Sequence, residues 1–174
     1  MIGEVVSTEK AELLETLAQH RWFLRYTVNG LTDEQARLRP TVSALCLGGL
    51  IKHVAAMEKQ WADFAVRGAA AMGGDFGDIS DEAMAAWAGA FDLLPEETLE
   101  QVLADYEEVA AQTEQIVAGL DLNDAHPLPA APWFEPGASW SVRRVLLHLI
   151  AETSQHSGHA DIIRESIDGS KTMG

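Results

Sequence analysis

Cysteine is nearly absent: Cys46 stands alone in 174 residues. No internal disulfide can form, and a reducing compartment, the cytoplasm, is the default expectation. Basic residues are also scarce. Twelve Lys and Arg face 27 Asp and Glu, a formal charge of -15, and the few cations do not cluster. Phosphate backbones and anionic lipid surfaces are therefore excluded as expected partners. No apolar run approaches the roughly 18 residues that suggest a membrane span, because His, Glu, Lys or Gln interrupts each one. The stretch Met1 to Lys10 is acidic and polar where an export signal needs a basic start and an apolar core. No Ser-His-acid order with a nucleophile turn is visible, and Gly48-Gly49 is no phosphate loop. Cys46, between Leu45 and Leu47, reads as a small core residue rather than a nucleophile.

What the chain does have is an ordinary globular composition, 47% hydrophobic and 22% charged, at a length that fits one domain over 1–174. Leu13, Leu14, Leu17, Trp22, Leu24 and Val28 recur at helical spacing over about 8–29, with Gly30 as the stop. A short helical turn follows over 31–40, with Thr32 and Gln35 as a capping box and Pro40 closing it. Leu50, His53, Val54, Met57, Trp61 and Phe64 form one inward stripe over about 47–67.

Gly68 to Ile79 reads as a loop, and Ser80 as the cap of a short helix holding Met84, Trp87 and Phe91. Pro95 is expected in the first turn of a long helix over about 96–119. The proline-rich segment 121–140, with Trp133, Phe134 and Trp140 interleaved, is expected to be a structured loop able to cover a pocket. Ser141 then caps a fourth long helix, about 142–167, ending at Asp168 and Gly169. Four long helices without persuasive strand alternation predict an all-α fold, a four-helix bundle with short extra helices in its connections.

The chemistry concentrates on the last helix. At about 100° per residue, His148, Glu152, His156 and His159 fall within roughly an 80° arc of one face. Glu152 and His156 are one turn apart, about 6 Å along the axis, and suit adjacent positions around one cation. Bundle cores are common places for such sites, and His53 on the second long helix is the best third donor. An ionised Glu152 in an apolar stripe needs Arg143, Arg144, a histidinium or a metal to offset its burial.

Two imidazoles and a carboxylate leave coordination positions open, as in catalytic rather than structural sites. Zinc is the first expectation for the divalent metal, with nickel, iron(II) and manganese left open. His148 and His159 are read as supporting or packing residues rather than ligands. Asp161 and Arg164 have the spacing of an ion pair on a solvated helix surface.

The run Gly48-Gly49-Leu50-Ile51-Lys52-His53-Val54 and the run from Val145 through His148, Glu152, His156 and His159 to Asp161 carry a resemblance. Together they make the chain similar to the DinB-like (YfiT-like) superfamily of metal-binding helical proteins across nearly its whole length. Many members use three histidines, whereas the middle position here is Glu152. That resembles a glutamate-containing subgroup with the mini-circle proteins and the metal-binding domain of mycothiol-dependent maleylpyruvate isomerase.

The resemblance implies His53, Glu152 and His156 as ligands, an up-down-down-up bundle and a homodimer. It further implies a metal-dependent thiol S-transferase, in which the metal activates a low-molecular-weight thiol such as mycothiol toward a small electrophile. The isomerase has a further C-terminal domain that this chain does not match, which argues against isomerase activity itself. A non-catalytic metal- or ligand-binding stress-response protein and a metal-dependent hydrolase are the alternatives.

Overall fold

A computed structural model describes residues 8–73 and 89–172. The elements run α1 (Thr8–Tyr26), α2 (Asp33–Ala36), α3 (Leu47–Arg67), a 3-10 turn (Gly68–Met72), α4 (Leu99–Ala118), β1 (Ala125–Pro127), β2 (Ser139–Ser141) and α5 (Val142–Asp168). The fold is all-α. α1 packs along α5, and α3 packs against both α4 and α5. A surface groove of about 1080 Å³ runs between α1 and α4. No helix among the described residues is long and apolar enough to cross a membrane.

Several helix ends follow the local chemistry of the sequence. Thr32 and Gln35 form the reciprocal capping box at α2, Ser141 accepts from the Arg144 amide at the start of α5, and Gly169 closes α5 at φ 80°. α4 begins later than expected. Pro95 lies in a turn outside it, and Thr98 is the N-cap, its hydroxyl accepting from the Gln101 amide. A threonine side chain satisfies an orphan helix donor, which proline cannot do. The short helix expected from Ser80 with Met84 and Trp87 lies outside the described residues.

Of the stripe expected on α1, Leu17, Leu24 and Val28 are buried and Leu13 and Leu14 pack against the core, and Trp22 is the residue that departs. Arg21 is buried with them, whereas Trp22 is 56% exposed and stacks on Tyr26 at 5.1 Å. Positions 17, 21, 24 and 28 form one stripe, and Trp22 is about 100° off it. The inward arginine is matched by Glu58 of α3, which is fully buried. Arg21 grips it with two bonds, Nε to Oε2 at 3.1 Å and Nη2 to Oε1 at 2.6 Å, and reaches Glu114 of α4 with Nη1 at 3.0 Å.

Arg21, Glu58, Thr113 and Thr153 make a buried polar layer. Along α1, α3, α4 and α5 these residues separate two apolar clusters. One is built on Leu24, Leu50, Val54, Tyr106 and Ile163, the other on Leu17, Trp61, Phe64, Val117 and Leu149.

Two further differences concern the ends of α5. The segment before it contains the antiparallel ribbon of β1 and β2, pairing Ala125 with Ser141, His126 with Trp140, and Pro127 with Ser139. Three residues per strand are too few for a periodicity to register in sequence. Near the C-terminal end, Arg164 does not pair with Asp161 on a solvated face. Its Nη1 donates to the carbonyls of Thr27 (2.7 Å) and Asn29 (2.9 Å) and its Nε to Asp168. Asp161 accepts the Thr172 amide at 2.7 Å instead. These carbonyls belong to the turn that follows α1, and one guanidinium satisfies two of them at once.

Candidate metal centre

His53 lies on α3 beyond the pair Gly48-Gly49, and that pair sets its surroundings. A Cβ added at Gly49 would meet the Phe91 carbonyl oxygen at 1.7 Å, and one at Gly48 would meet Leu93 Cδ2 at 2.6 Å. The absence of side chains therefore lets the segment 91–93 lie directly on the first turn of α3. Lys52 holds that segment, donating to the Asp92 carbonyl at 3.3 Å and pairing with Glu97 at 2.7 Å. Arg39 forms an ion pair with Asp92. The Phe91 ring consequently stacks on the His53 imidazole, centroids 3.9 Å apart and 21° between planes.

α5 faces His53 with His156, the two rings edge to face at 5.0 Å. One turn earlier on α5, Glu152 brings Oε2 to 3.5 Å from His156 Nε2. One donor atom from each of His53, Glu152 and His156 lies within 4.8 Å of the other two, and this is the one such group found among the described residues. The three residues expected to converge are thus brought together. The carboxylate keeps 30% side-chain exposure and the imidazole of His156 keeps 13%, so the cluster is recessed with an approach from solvent.

The remaining histidines of the stripe divide. His148 packs edge-on against Trp61 (4.8 Å) and Trp140 (5.0 Å), which stack on each other at 4.5 Å. Phe134 meets Trp140 at 5.8 Å and Trp133 at 6.1 Å, so the proline-rich segment builds an aromatic wall at this end of the α3–α5 seam. His159 sits beside His156, Nδ1 to Nδ1 at 3.5 Å. Neither arginine offered by the sequence bonds to Glu152. Arg143 pairs with Glu9 and donates to Asn123, and Arg144 lies over the Trp140 ring at 5.0 Å.

Electrostatics favour neutral imidazoles. Burial, with the nearby His156 adding to it, pushes His53 down to about 4. Burial and then the neighbouring His159 lower His156. His148 is lowered by burial and by Arg144, against the pull of Glu152. Desolvation penalises the charged form of a histidine, and a neutral ring offers the lone pair a metal requires. Two neutral imidazoles and one carboxylate, recessed and convergent from two helices, fit a borderline divalent cation.

Phe91 is the site residue that sequence reading placed elsewhere, as part of a short helix. The signal for it was the Gly-Gly pair at the start of α3, which costs helix stability unless another backbone must come close.

The mycothiol-S-transferase family model matches residues 12–169. The chain belongs to the mycothiol-S-transferase family. This membership supports the DinB-like superfamily and brings a low-molecular-weight thiol as the substrate class. No curated protein matches the chain. Among solved structures, the crystal structure of a conserved protein from Enterococcus faecalis is similar over 92% of this chain and 97% of that one, with a TM-score of 0.64 at 16% identity. That likeness concerns the fold.

Proposed function

We propose that this member of the mycothiol-S-transferase family is a metal-dependent thiol transferase whose donor set is His53, Glu152 and His156. The observation that carries the proposal is the convergence of these three donors within 4.8 Å in a chain whose family transfers a thiol. A divalent cation bound there supplies one thing, stabilisation of a coordinated thiol as its thiolate. Zinc is the favoured ion for two imidazoles, a carboxylate and a sulfur ligand.

The protein's own groups do the rest. His53 and His156 present lone pairs, Glu152 supplies negative charge, and the Phe91 ring keeps water from one face of His53. The wall of Trp61, Trp140 and His148 gives the small electrophile an apolar surface beside the donors. The thiol proton leaves toward solvent, and the thiolate sulfur forms its bond to the electrophilic carbon as that carbon's bond to its leaving group breaks, the leaving group departing with the electron pair, as bromide does from monobromobimane. Glu152 is a ligand in this reading and not a base.

The whole chain, 1–174, is taken as one four-helix bundle in up-down-down-up order, which the packing of α1 on α5 and of α3 on α4 favours. The glutamate at 152 fits the subgroup with the mini-circle proteins. Homodimer formation in the cytoplasm completes the reading, and the exposed Trp22 and Tyr26 on the rim of the α1–α4 groove are the apolar surface that favours association.

The deciding experiment follows the consumption of monobromobimane with mycothiol, bacillithiol or glutathione in zinc-reconstituted wild type, His53→Ala and His156→Ala. Thiol-dependent consumption in wild type alone is expected. Equal rates in all three overturn the transferase, and metal binding without turnover in wild type makes the protein a metal-binding one instead.

A further inference from the structure

His156 has two ring nitrogens, and their surroundings differ. Nε2 lies 3.5 Å from Glu152 Oε2, on the side of the donor cluster. Nδ1 faces away from it and meets His159 Nδ1 at 3.5 Å. A neutral imidazole carries one hydrogen and one lone pair. If Nε2 gives its lone pair to a cation, Nδ1 must carry the hydrogen, and a half-buried N–H needs an acceptor.

Among the described residues, His159 Nδ1 is the hydrogen-bonding atom found at His156 Nδ1. The pairing is built into α5, since residues three apart lie on one helix face, Ser157 between them points elsewhere and Gly158 has no side chain. Ser157 bonds to the carbonyls of Thr153 and His20.

From this geometry we infer that His159 is a positioning residue, accepting the Nδ1 hydrogen of His156 so that Nε2 is the nitrogen aimed at the cation. The inference rests on the reading of His53, Glu152 and His156 as the donor set. Partners of this kind fix both the tautomer and the ring orientation of a ligating histidine, and their loss commonly weakens metal binding by about 10–100-fold. It assigns His159 to holding the metal site rather than to the reaction, and it separates His159 from His148, whose ring is engaged by tryptophans.

The test measures Zn²⁺ affinity by competition with a chromophoric chelator in wild type, His159→Ala, His159→Leu and His159→Asn. Alongside it, NMR of the zinc-loaded protein follows the His156 Nδ1 hydrogen as a slowly exchanging ring resonance. Asn can set an amide oxygen near the position of the lost nitrogen.

The expected result is a loss of roughly 10–100-fold for Ala and Leu, at least partial rescue by Asn, and the protected resonance in wild type and His159→Asn only. Unchanged affinity in His159→Ala, or no protected His156 resonance in zinc-loaded wild type, overturns the role of His159 and leaves the donor set standing. Wild type that binds no zinc, or binds it as well in His156→Ala, overturns the donor set and this inference together. Circular dichroism of each variant separates these results from unfolding, since a misfolded Ala variant leaves the Asn rescue and the wild-type resonance to decide.

Discussion

Phe91 stacks on His53 with 3.9 Å between ring centroids, and its carbonyl rests against Gly49 where no Cβ fits. Backbone contact and ring contact are therefore one arrangement. Gly49→Ala should cost about 1–3 kcal/mol through overpacking, whereas Gly158→Ala, at an open position in α5, should gain roughly 0.5–1 kcal/mol from helix propensity. Urea denaturation compares the two. Phe91→Ala should return water to His53 and raise its midpoint from about 4 toward the ordinary range. An NMR titration that leaves the midpoint in place would contradict the covering role.

The metal-free protein should weaken in mild acid. His53 titrates at about 4 when folded against an ordinary 6.5, so between these values the unfolded chain binds a proton that the folded chain does not. Stability is fully present above about pH 6.5 and falls as pH drops toward 4. His156 and His148 shift the same way. Urea midpoints at pH 7, 5.5 and 4.5 should decrease in wild type and decrease less in His53→Gln. Superimposable pH dependence of the two proteins would exclude His53 as a source.

The buried pair Arg21–Glu58 gives a third expectation. Removing one partner strands a charge in the core, so Arg21→Ala or Glu58→Ala should each cost about 3–5 kcal/mol. The double variant Arg21→Met with Glu58→Met should recover most of that loss, since replacing both charges leaves no unpaired one. Additive losses in the cycle of Arg21→Met, Glu58→Met and their double variant would show that the two residues do not act together.

Zinc should stabilise the fold through the donor set. At a free concentration about 100 times the Kd, binding to the native state alone adds about 2.7 kcal/mol, which for a chain of this size is a rise in Tm of roughly 5–10 °C. Calorimetry should find the rise in wild type and lose it in His53→Ala, Glu152→Ala and His156→Ala. A rise preserved in all three variants would place the ion elsewhere.

Much of this architecture is legible in the chain because it is local. Thr32 with Gln35, Ser141 and Gly169 act on neighbouring amides and carbonyls, and their roles follow from residue type and spacing. The convergence of His53 on Glu152 and His156 was legible for a related reason, since each helix marks its inward face by periodicity.

What escaped is non-local. Arg21 has no inward role until Glu58 is known to lie opposite, Phe91 has no place at the site until Gly49 receives it, and Arg164 looks like a partner of Asp161 until the turn carbonyls that follow α1 come into view. The ribbon of β1 and β2 fails for another reason, since pairing rather than pattern defines strands so short.

Glu58 follows His53 by five residues on α3, a rotation of about 140°, so the two side chains leave the helix on nearly opposite sides. Any roll of α3 that turned His53 from His156 would also draw a carboxylate off its guanidinium in a dry interior. Arg21 thus serves as a key in a slot, and the azimuth of an imidazole beside α5 is held from the far side of its helix by α1.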